Sequence, residues 1–124
     1  MPGSGAVSVP ATRTHDERMA LGERGYVANC LACHQSTGLG IPAAFPPLAG
    51  SDFLMADKAR SIGVVLNGLT GAVTVNGTKF DSIMPMLNLA DDDVANILTY
   101  VRNTWGNEGE MVNLEEVRAV RAAK

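Results

Sequence analysis

Residues 30–34 read Cys30-Leu31-Ala32-Cys33-His34, and the rest of the chain is read outward from them. Two thiols three positions apart lie about one helical turn from each other. At that spacing both reach the two vinyl groups along one edge of a porphyrin and can close thioether bonds. The histidine that follows at once presents an imidazole nitrogen to the metal from one face. C-x-x-C-H is the attachment signal of a c-type haem, so one covalently bound haem c per chain is expected. A thioredoxin-like cysteine pair would need βαβ surroundings, and the flanking pattern has none. A zinc site needs four ligands, and His15 is the sole Cys or His outside this cluster. Two structural thiols would leave the adjacent histidine a coincidence.

Upstream, Thr14-His15-Asp16-Glu17 has the form of a capping box and opens a helix. Met19, Gly22, Tyr26 and Cys30 recur along one of its faces. Glycine inside a helix costs roughly 1 kcal/mol against alanine. A second helix crossing closely over Gly22 would account for that cost. Residues 1–13, rich in Gly, Ser and Pro, read as a flexible leader or linker; they lack the basic and apolar regions of a secretory signal.

Downstream, residues 36–51 are crowded with Gly and Pro and form an irregular loop. Asp57 can cap a second helix in which Ile62, Val65, Leu66 and Leu69 share a stripe, ended by Gly68 or Gly71. Residues 73–80 read as a small hairpin turning at Asn76-Gly77. Asp91, Asp92 and Asp93 favour the positive end of a further helix. Its stripe is Val94, Ile97, Leu98, Val101 and Trp105, stopped by Gly106-Asn107. Asn113 with Glu116 caps a short last helix. The expected architecture is all-α, three to four helices with long loops around one haem. Residues 14–106 form the domain, and 107–124 a C-terminal extension.

Composition agrees. The chain has 124 residues, 46% hydrophobic and 19% charged, as a globular domain does. A net charge of −3 argues against a nucleic-acid partner. No apolar run approaches the roughly 20 residues of a membrane span. Aromatic residues are only 5%, thin for such a core, and a macrocycle would fill the space.

A second axial ligand must come from elsewhere. His15 lies at the far end of a helix roughly 20 Å long and reads as a surface residue. Of six methionines, Met19, Met55 and Met111 read as packing. Met84-Pro85-Met86 lies in a loop whose proline stiffens it. Met84 is favoured as the ligand, with Met86 against the haem edge; exchange of the two roles is the alternative.

The series Gly22-x-x-x-Tyr26, Cys30-Leu31-Ala32-Cys33-His34, Pro46-Pro47-Leu48-Ala49-Gly50, Met84-Pro85 and Ile97-x-x-Tyr100 resembles class I monohaem cytochromes c in order and spacing. The resemblance implies the cytochrome c fold, with Tyr26 meeting Ile97 and Tyr100 where the terminal helices cross. It implies that His34 gives its second ring N–H to the carbonyl of Pro46 or, less favoured, Pro47. It implies a one-electron carrier rather than an enzyme, working in the periplasm with a redox partner protein. The family often has Ser or Thr where Ala90 stands, so Asp91 is expected to cap instead. The stretch from Phe45 to the C-terminus, with FPPLAGSD, GVVLNGLTG, VTVNG and ANILTYVRNTWGN followed by EEVRAVR, also resembles haem c domains tethered to copper nitrite reductases. A copper nitrite reductase, a cupredoxin-type protein or a dehydrogenase is thus an expected partner. The competing function is a haem enzyme or gas sensor with an open distal position.

Overall fold

A computed structural model describes residues 13–123; the leader expected over 1–13 lies, but for Arg13, outside them. In chain order the elements are α1 (His15–Asn29), α2 (Leu31–His34), α3 (Asp52–Ala56) and α4 (Lys58–Asn67). Then come strands β1 (Ala72–Val75) and β2 (Thr78–Asp81), α5 (Asp91–Val101) and α6 (Leu114–Ala122). The fold is all-α apart from one hairpin. Two short helices, α2 and α3, add to the expected set.

Local chemistry starts each helix. Thr14 and Glu17 form the reciprocal capping box of α1, and Asn113 and Glu116 that of α6. The Asp57 carboxylate accepts from the Arg60 N–H and opens α4. Gly68, at φ +77°, ends α4. Leu69 therefore lies outside that helix, contrary to the stripe expected of it. α5 starts at Asp91 with Ala90 as its N-cap and no side-chain cap bond, so Asp91 does not cap. The three aspartates of the first turn supply the favourable charge without it. α5 also stops at Val101, and Trp105 sits beyond it at φ +58° rather than on its stripe. Asn107 holds this exit: its amide N–H groups bond the Val101 and Leu48 carbonyls (2.8 and 2.9 Å), and its carbonyl accepts from Gly50 N–H (2.8 Å).

α1 crosses α5 at close range. A Cβ on Gly22 would collide with the Asn96 carbonyl oxygen and come within 2.6 Å of Tyr100 Cβ, so only glycine permits the approach. The buried row of α1 is Arg18, Gly22 and Tyr26, with Met19 only half-buried. Beneath the crossing lies one core of Tyr26, Leu54, Ile62, Val65, Leu66, Val94, Leu98 and Val117. α6 packs on α4 and α5, and the buried Val112, Leu114 and Val117 belong to its approach and inner face.

Candidate haem site

Cys30 ends α1 as its C-cap, at φ −124°, so it does not continue the helix face expected of it. The chain re-enters helix as α2, which carries Cys33 and His34. His34 is buried, and its Nδ1 lies 3.0 Å from the Pro46 carbonyl oxygen, with Pro47 making no such bond. Burial holds the imidazole below its ordinary pKa, against the pull of that carbonyl. The ring is therefore neutral at pH 7. Among the described residues Nδ1 donates to Pro46 and Nε2 makes no hydrogen bond. Burial, with Cys33 adding to it, pushes the Cys30 thiol up to about 11. Both cysteines are half-buried and are not joined to each other by a disulfide.

Cys30, Cys33 and His34 line an almost wholly apolar cavity. Met84 lines the same cavity. Met86 does not, and is 55% exposed. His15 is exposed at the first position of α1. Ile97 lines the cavity from α5. Tyr26 does not line it; its hydroxyl donates to the Gln35 carbonyl (2.6 Å) and so pins the end of α2. Its ring packs on Tyr100 and Trp105, at centroid distances of 5.6 and 5.2 Å. Arg60 lies over the Phe53 ring at 3.9 Å and donates to the Phe53 carbonyl.

Two thiols, an imidazole with one nitrogen engaged, and a thioether on one apolar cavity fit a haem c. Among the described residues no three His, Cys, Asp or Glu side chains gather as a metal cluster. The cytochrome c family profile matches residues 19–105. The chain belongs to the cytochrome c family. A cytochrome c-552 from Thermus thermophilus is 37% identical over 107 residues, which are 78% of this chain and 82% of that protein. The cytochrome c subunit of the quinone alcohol dehydrogenase of Gluconobacter oxydans is 28% identical over 81% of this chain, but over only 22% of that subunit. The thiosulfate dehydrogenase electron acceptor of Stutzerimonas stutzeri is 29% identical over 66% of this chain and 35% of that protein. This cytochrome c domain is thus a haem c-binding electron-transfer module and not a catalyst. No described helix is long and apolar enough to cross a membrane.

Sequence reading missed several residues of the cavity wall. Val73, Val75 and Phe80 of the hairpin and Phe53 and Leu54 of α3 all line it. Hairpin alternation was the available signal for the first three. It also missed that Leu69 and Met84 exchange main-chain hydrogen bonds of 2.9 and 2.8 Å.

Proposed function

We propose that this cytochrome c carries single electrons in the periplasm through a haem c held by Cys30 and Cys33 and ligated by His34 and Met84. The observation that carries the reading is that both thiols, the imidazole and the Met84 side chain line one apolar cavity. When bound, haem c supplies a one-electron Fe(II)/Fe(III) couple. The two cysteines hold its edge. Pro46 fixes the His34 tautomer and strengthens its Nε2 as a donor. The Met84 thioether favours the reduced metal, and the apolar wall excludes water and adds to that preference. Tyr26 steadies the His34 turn through the Gln35 carbonyl, and Ile97 closes the wall. Periplasmic placement follows from thioether attachment outside the cytoplasm.

The partner is a redox protein. The dehydrogenase components among the relatives support a dehydrogenase, and the resemblance of the stretch from Phe45 to the C-terminus supports a copper nitrite reductase or a cupredoxin-type protein. Stopped-flow mixing with each class separates them.

The ligand assignment is tested by two variants. Met84→Ala is expected to abolish the thioether–ferric charge-transfer band and lower the potential, while Met86→Ala keeps the band. The reverse result exchanges the two methionines. High-spin spectra with ready CO binding in the unaltered ferrous protein would instead mean an open distal position and a haem enzyme or gas sensor.

A further inference from the structure

The hydrogen-bonded pair Leu69–Met84 is an isolated bridge outside β1 and β2 that keeps their register. In the hairpin Ala72 faces Asp81, Val73 faces Phe80 and Val75 faces Thr78. Three residues outward on each strand from Ala72 and Asp81 stand Leu69 and Met84, which pair with each other. The residue count from the turn to the methionine is the same on both strands, across the unpaired residues 70–71 and 82–83. Directly opposed residues of an antiparallel pair share a face, and alternate residues return to it. Val73, Val75 and Phe80 line the cavity, and by the same alternation so do Leu69 and Met84. Ile83, one place out of phase, is 69% exposed, although it borders the same cavity.

Two features set that register and hold it. Asn76-Gly77 is a two-residue loop with φ of +52° and +80°, the backbone of the tight turns that fix hairpin pairing. The turn is anchored to α3 by a reciprocal pair of bonds. Asn76 N–H donates to Asp52 Oδ1 (2.7 Å), and Asp52 N–H donates to Asn76 Oδ1 (2.9 Å). At the other end, Gly68 ends the ladder: a Cβ there would come within 2.6 Å of the Met84 carbonyl oxygen and 2.9 Å of Met86 N. A lone two-stranded hairpin is marginal in water, so its place over the cavity depends on such anchors.

We propose that the hairpin is the device that positions Met84, its register set by the Asn76-Gly77 turn and its tip held by Asp52. Asp52 and Asn76 are then positioning residues for the Met84 thioether, although neither lines the cavity. This rests on the reading of Met84 as the axial ligand.

The test uses the haem-loaded protein. Asn76→Gly keeps the left-handed backbone and removes one acceptor. Asp52→Ala removes the other, and Asp52→Asn retains it. Each anchor bond is worth a factor of about threefold to tenfold. In the combined Asp52→Ala, Asn76→Gly variant, amide exchange at Leu69 and Met84 is expected to quicken by at least about threefold, and added imidazole to displace the thioether band at a correspondingly lower concentration. Asp52→Asn is expected to restore both readouts. Thr14→Ala, which removes the α1 cap on a separate element, is the comparison for general loss of stability. The proposal is overturned if the combined variant loses thermal stability as Thr14→Ala does while imidazole affinity and Met84 exchange stay unchanged. Met84→Ala separates the two levels. If it keeps the band, the ligand reading fails and takes this proposal with it. If it loses the band and the combined variant changes nothing, only the positioning role fails.

Discussion

Arg18 of α1, fully buried, forms an ion pair of 3.1 Å with Asp92 of α5 and donates to Asn96 Oδ1 at 2.7 Å. Asp92 also pairs with Arg13 at 2.9 Å. The two arginines are not equivalent. Asp92→Ala strands the Arg18 charge in the interior with only Asn96 for company, and is expected to cost about 3 kcal/mol. Arg18→Met leaves Asp92 still paired with Arg13 and is expected to cost less, about 1 kcal/mol. Denaturant unfolding of the haem-loaded variants gives the order.

That pair also marks where sequence reading ends. The caps at Thr14 and Asn113 and the Asn76-Gly77 turn were legible because each is decided within four residues. Gly22 was legible because an uncompensated helix glycine demands a close neighbour. Cys30, Cys33, His34 and Met84, which line one cavity, were legible as candidates by chemistry and order. Arg18 was not, because nothing in α1 says that its charge meets Asp92 from far along the chain. Leu69 misled because helical spacing continued past the glycine that ends α4. The Trp105 placement failed the same way: its spacing fits α5, but the helix has already stopped at Val101.

Two glycines in helices are expected to respond with opposite signs. Gly22→Ala drives a methyl into the Asn96 carbonyl, and separating α1 from α5 should cost about 3 kcal/mol. Gly63 lies inside α4, where an added Cβ would lie in ordinary contact, 3.9 Å from Val120 Cγ1. Gly63→Ala is expected to stabilise by about 0.5–1 kcal/mol through helix propensity. Thermal melts of both variants check the sign.

Acid should loosen the seat of α6. Lys58 bonds Glu116 at 2.8 Å and Glu110 at 3.1 Å. Burial alone would raise Glu116, but the Lys58 hydrogen bond, the Asn113 N–H and nearby positive charge outweigh it and leave the carboxyl below its ordinary value. A depressed folded pKa stabilises above the unfolded carboxylate range, and that share is lost as pH falls through the folded value. Glu116→Gln is expected to flatten stability in that acidic window and to change the slope little near neutrality. Lys58, raised overall by its two carboxylates despite burial, keeps its share until pH climbs past the ordinary lysine range. Stability measured across pH for both proteins tests the pair.

Docking should be weakly sensitive to salt. Leu39, Ile41 and Met86 are exposed apolar side chains, and one of the three lysines, Lys58, is already committed to Glu110 and Glu116. Apolar contact is screened little by ions. The bimolecular rate with the partner is expected to change by less than about threefold between ~0.02 and ~0.2 M salt. A steep fall would assign docking to charge instead.

The crossing of α1 over α5 joins two helices far apart in the chain. Cys30, Cys33 and His34 follow α1 directly, whereas Asn96 and Tyr100, which close over Gly22, come from α5 far along the chain. Contacts between segments so distant in sequence form late, after a large entropic toll for bringing them together. Until they form, the two thiols stand open to whatever enzyme must work on them, so the same topology that seals the finished protein leaves its maturation a window in time.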